Sequence, residues 1–135
     1  MVELAVVLPV LVLLAIGVMD YGRVYFTSIA VANAARAGAE WGASGSTGAY
    51  QDDARIQSFA QLDGAEAAPI TITSNHVCKC GGTTVTCAGT TCSGGYGVPI
   101  VLVEVTASKT VALLIKYPGL PTSVTITRTA TFRAQ

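Results

Sequence analysis

Between Glu3 and Asp20 the chain has no charged and no strongly polar side chain; residues 4–19 read LAVVLPVLVLLAIGVM. As a helix this run rises roughly 24 Å, a little short of the ~30 Å hydrocarbon core of a bilayer. Whatever else the chain folds into must accommodate that run. A secretory signal peptide opens with positive charge and closes on a small-residue cleavage site. This stretch instead opens with Glu3. A plain membrane anchor needs no proline and is flanked by Lys or Arg. Here Pro9 interrupts the run, and Asp20 and Arg23 follow it. The run therefore predicts a helix with some task beyond anchoring.

The helical pattern continues past those charges. VYFTSIAVANAARAGAEWGA (residues 24–43) lacks proline and is rich in alanine, so the sequence predicts one long helix over residues 1–42. Its second half carries Ala30, Ala32, Ala34, Ala35, Ala37, Gly38 and Ala39, small side chains that let another helix or a sheet approach closely. Asp20 and Arg23 are three apart, share a face and can neutralise each other. Glu3 is costly in an apolar setting unless it meets a cation, and the nearest one is a chain amino terminus, its own or a neighbour's. Pro9 has no N–H to give the Ala5 carbonyl, which predicts a local departure from regular helix within about one turn.

VELAVVLPVLVLLAIGVMDYGRVYF followed by VANAARAGAEWGA resembles the amino-terminal segment of the TadE-like pilins of tight-adherence (Tad/Flp-type) pili, a branch of the type IV pilin superfamily. Glu3 matches the family's glutamate by its place before the apolar run. Pro9 matches the helix proline, and Asp20, Gly22 and Arg23 match an acidic-x-glycine-arginine element. Glu3 stands two residues nearer the start than that glutamate usually does, so either residues precede Met1 or the processed end is short. The resemblance implies a prepilin peptidase and a pilus assembly machinery in the inner membrane as partners. It implies residence in that membrane before assembly and then an extracellular filament, in which copies of the chain form a helical homo-oligomer. Glu3, Pro9, Asp20 and Arg23 would be its assembly residues.

Residues 43–135 read as an extracellular α+β pilin head. GASGSTGAY breaks the long helix, and AYQDDARIQSFAQLDG predicts a short one. Asp52 and Asp53 suit its positive first turn, Ile56, Phe59 and Ala60 form an apolar stripe, and Gly64 stops it. Beyond Pro69, ITITS, PIVLVEVTAS and TSVTITRTATFRAQ predict strands. In the last, Val124, Ile126, Ala130 and Phe132 alternate with Thr125, Thr127, Thr129 and Thr131, one buried face and one wet. The fold class is therefore α+β: a long amino-terminal helix packed, through its second half, on a small antiparallel sheet. Glu104 and Arg128 interrupt their strands and are either a cross-strand ion pair or solvent-exposed. Residues 111–115 are a run of apolar side chains in an expected loop, either a lid over the sheet edge or a patch that a neighbouring subunit covers.

HVCKCGGTTVTCAGTTC sets Cys78, Cys80, Cys87 and Cys92 within a hairpin-like stretch. Cys-x-Cys is not the usual zinc spacing, and clustered cysteines suit an oxidising compartment, so disulfides are expected rather than a metal. Pairing Cys78 with Cys80 would strain a strand, which leaves nested or crossed arrangements. A four-residue turn would set Cys78 against Cys87 and leave Cys80 for Cys92. Two bridges would compensate for a small core. No constellation for catalysis stands out: the one histidine, His76, reads as a solvent-facing strand residue, and no phosphate loop or nucleophile motif is present. No enzyme activity and no cofactor are expected. Lys and Arg balance Asp and Glu at formal net charge zero, so nothing argues for nucleic acid as a partner. Two function classes remain: a structural subunit of a pilus filament, or a minor, tip-located or adhesin-like module held by a membrane anchor. Glu3 with Pro9 favours the first, since a mere anchor needs neither.

Overall fold

The computed structural model of the chain describes residues 2–44, 49–87, 91–92, 97–114 and 121–134. Helix α1 (Val2–Ala43) is followed by a 3-10 turn (Ala49–Gln51), helix α2 (Asp53–Asp63) and a second 3-10 turn (Ala65–Ala67). Strands β1 (Thr71–Cys80), β2 (Thr83–Val85), β3 (Ile100–Ala112) and β4 (Ser123–Arg133) then form one antiparallel sheet in the order β2-β1-β3-β4. Two helices lie on one face of this sheet, and the core is the layer between.

α1 spans 42 residues, about 63 Å at helical rise. Only its second half meets the sheet. Val31, Ala34, Ala35 and Ala39 are buried there, a three-four spacing that keeps them on one stripe. Glycine brings its neighbours close. A Cβ on Gly38 would lie 2.9 Å from the Ala60 Cβ, and one on Gly42 would lie 2.9 Å from both Ile56 Cδ1 and Val103 Cγ1. The same contacts give direction. Ile56 sits at the level of Gly42, Ala60 at Gly38 and Gly64 at Ala34, while Val103 and Val105 sit at Gly42 and Gly38. Both α2 and β3 therefore run antiparallel to α1.

α2 starts at Asp53, so Asp53 is in the first turn as expected while Asp52 stands just outside it as the cap. The Asp52 carboxylate accepts the Arg55 backbone N–H at 3.1 Å, satisfying a first-turn donor that has no helical partner. Ser74 on β1 donates its hydroxyl to Asp53 at 2.6 Å and ties helix to sheet. Ile56 and Ala60 are buried, whereas Phe59 is partly exposed and stacks on Trp41 with ring centroids 5.2 Å apart. On the sheet, Val103, Val105, Ala107 and Val111 of β3, Ile72 of β1 and Ile126 of β4 complete the core. The other face is threonine-rich. Hydroxyl pairs Thr106–Thr129 and Thr110–Thr125 bridge β3 and β4 across it at 2.9 and 3.0 Å.

Several expectations need correction. α1 is helical without interruption through Pro9, so the local departure from regular helix expected there does not break the element: proline removes one hydrogen bond, and the bonds on either side carry the helix across. Glu104 and Arg128 cannot pair, because register places Glu104 opposite Thr131 and Arg128 opposite Ala107, on opposite faces of the sheet. Arg128 faces the helices and donates to the Ser28 hydroxyl at 2.8 Å. His76 is half-buried and edge-on to Tyr50, with ring centroids 5.6 Å apart, rather than turned to solvent. The apolar run 111–115 is not all loop: Val111 and Ala112 close β3, and Val111 is buried under the helices. Leu113 and Leu114 follow the strand, and Ile115 lies outside the described residues.

Candidate functional site

The part of the molecule that the fold leaves unused is the first half of α1. From Leu4 onward to Met19 every side chain is exposed except Ile16, which is half-buried. Among the described residues no other element covers these aliphatics, and α1 is long and apolar enough to cross a membrane. Pro9 lies within this bare segment. Glu3 lies in α1 before it, with its side chain outside the described residues.

Asp20 and Arg23 stand at the neck, where the bare helix enters the head. They do pair, Arg23 Nη1 to Asp20 Oδ1 at 3.7 Å. That contact is long and half in solvent, so it contributes little. The stronger partner of Asp20 was not legible in the sequence, since it lies on the far side of the chain. Both carboxylate oxygens accept the Leu114 backbone N–H at 3.0 Å. The Asp20 side chain is only 14% exposed, and a charge-assisted bond in that setting is stronger than one between neutral groups. Asp20 thus fixes the β3–β4 end of the head to the neck. Leu113 donates its own N–H to the Thr122 carbonyl at 3.0 Å, which continues the hairpin to the same point. Just beyond, Tyr21, Tyr25 and Phe26 are exposed on α1, with Tyr21 stacked on Tyr25.

The cysteines occupy the opposite end of the head. Cys78 lies opposite Val101, which precedes the strand residue level with Gly42 near the end of α1. Bridges join Cys78 to Cys87 and Cys80 to Cys92, with Cα–Cα separations of 5.2 and 5.5 Å. The turn that presents them spans two residues rather than four. Cys80 faces Thr83 across Gly81 and Gly82, both at positive φ (54° and 94°), the left-handed geometry that a tight hairpin turn requires and glycine supplies. All four thiols are therefore spent on structure. Among the described residues no group of three or more His, Cys, Asp or Glu could hold a metal.

The order along the chain is now set: a bare apolar helix, an acid–arginine neck, a small-residue packing stripe and a cross-linked distal tip. The family model of TadE-like proteins matches residues 1–40. The first 40 residues, under a third of the chain, are TadE-like. The match takes in the bare segment, the neck and most of the packing stripe. No curated protein and no solved structure matches the chain. The head thus stands on its own geometry, and the TadE-like helix carries the kinship.

Proposed function

We propose that this TadE-like protein is a structural subunit of a Tad-type pilus filament and polymerises through its amino-terminal helix. One observation carries the reading: α1 is a single uninterrupted helix whose second half is core and whose first half is bare. Helix and head form one rod, so bundling the bare halves of many copies fixes where every head sits. Burial against other copies also replaces lipid contacts when a subunit leaves the membrane, at little net cost in apolar burial. Gly17 and Gly22 support this. A Cβ at either would meet nothing within 4 Å, yet glycine inside a helix costs about 1 kcal/mol relative to alanine. Among the described residues nothing repays that cost. A neighbouring helix packed against these positions does.

Within this reading Glu3 meets the amino terminus of an adjacent subunit and sets the axial register, Asp20 and Arg23 brace the neck, and Pro9 leaves the Ala5 carbonyl open to a neighbour. The partners are copies of the chain, the assembly machinery and the prepilin peptidase, and the path runs from inner membrane to extracellular filament. Glu3→Ala should leave the subunit in the membrane and sharply reduce filaments, because an unpaired carboxylate in an apolar bundle is costly and its pairing selects register. Electron microscopy of sheared surface material checks this, and normal filament numbers at wild-type expression would contradict it. A second reading, a minor or tip-located pilin with an adhesin-like role, draws on the cross-linked tip lying farthest from the neck.

A further inference from the structure

We infer that the head carries a second lipid-contacting element: while α1 is in the membrane, the Leu114 corner of the β3–β4 hairpin rests in the headgroup layer beside the helix. The inference rests on reading residues 4–19 as the membrane-spanning part of the subunit before assembly. Three observations converge on it. The first is position. Asp20, the residue that ends the apolar run, holds the Leu114 backbone N–H with both carboxylate oxygens at 3.0 Å, so Leu114 sits at the level where the span ends. The second is length. The run rises roughly 24 Å against a hydrocarbon core of about 30 Å, and a short span is accommodated by thinning the bilayer or drawing its flanks inward. The shortfall, about 6 Å, is comparable to the depth of one interfacial layer. It brings the neck and everything fixed to it down onto the bilayer.

The third is surface chemistry. Leu114 is a leucine with 57% of its surface exposed, although strand residues only three positions earlier are buried. At the same level Tyr21 is exposed on α1, with exposed Tyr25 and Phe26 roughly 7.5 and 9 Å further along the helix, and tyrosine, like tryptophan, is enriched at membrane–water interfaces. Arg23 can keep its charge in the headgroups while its stem lies along apolar surface. Apolar and aromatic groups at one level on two different elements fit an interfacial layer better than water. The opposite end of the head offers a control. Val98 is 80% exposed, but it precedes β3 at the end beyond Gly42 and lies far from Asp20 along α1.

The test uses the full chain in vesicles of phosphatidylcholine and phosphatidylglycerol. The native cysteines are all in disulfides, so one added thiol is the single labelling site. Leu114→Cys, Val98→Cys and, within the span, Val12→Cys are each labelled with an environment-sensitive fluorophore. Lipids brominated near the headgroup or deep in the acyl chain then act as quenchers. The label at position 12 should lose most of its fluorescence to the deep quencher. The label at position 114 should lose most of its own to the shallow quencher, with a blue shift, and the label at position 98 should respond to neither. If position 114 behaves like position 98 while position 12 is quenched, the inference fails and the span stands. If position 12 is not quenched, the span fails and the inference with it.

Discussion

Glycine occurs in two settings in α1, packed against the core at Gly38 and Gly42 and open at Gly17 and Gly22. Gly38 and Gly42 are filled from inside, by Ala60, Ile56 and Val103. A methyl group at Gly38 would press on the Ala60 Cβ at 2.9 Å and on the Ile56 carbonyl at 3.2 Å, and one of those partners is backbone. Overpacking of that kind costs about 1–3 kcal/mol, more than the roughly 1 kcal/mol that alanine regains in helix propensity. Gly38→Ala should therefore lower the thermal unfolding temperature of the detergent-solubilised protein. Gly22→Ala should not, and should raise it slightly, yet it should reduce filaments if that face packs on a neighbour. Wild-type filament yield from Gly22→Ala would remove the support that Gly22 gives to bundling. Other residue-level features could not be read from sequence. Asp20 with Leu114 and Arg128 with Ser28 join positions about a hundred residues apart, and no local pattern encodes such pairs.

At the scale of elements, strong local signals were legible. The alanine stripe, the Gly64 stop and the period-two alternation of β4 each specify their element through neighbours a few residues away, and each is where the sequence places it, except that Phe132, expected on the buried face of β4, is exposed near the strand's end. The losses came where local chemistry is ambiguous. The apolar run beginning at Val111 resembles a lid, but register with β4 continues to Ala112 because Val111 has core to cover. Pro9 is a helix breaker only where the flanking hydrogen bonds cannot hold, and in α1 the helix continues on both sides. The cysteine pairing is the crossed arrangement, reached through a two-residue Gly81-Gly82 turn rather than the longer turn expected. These bridges hold the distal end, where β2 is only three residues long and chain ordering has little core to offset it. Replacing Cys87 by serine should destabilise the head by about 2–4 kcal/mol. Denaturant unfolding in detergent, with and without reductant, measures this; a loss under about 0.5 kcal/mol, the scale of an ordinary surface substitution, would show the bridges to be dispensable.

Across the whole molecule, the chain divides its apolar surface between two fates. One half of α1 closes a core with α2 and the sheet, and the other half remains bare over the full length of a membrane-sized run. A rod of this kind in water is a solubility hazard; in lipid, or among copies of itself, its bare half is buried. In the proposed function the final partner is another copy, contacted through that half. Sheared surface filaments bearing Val12→Cys, treated with a short thiol-specific bifunctional cross-linker and separated by size, test this most directly. The expected product is a cross-linked dimer of this polypeptide, identified by mass spectrometry, because the native cysteines are all in disulfides and one added thiol per chain can join only two chains; Val98→Cys filaments should give no dimer under the same treatment. Filaments that lack the polypeptide, or that hold it as uncross-linked monomer at position 12, would contradict the claim.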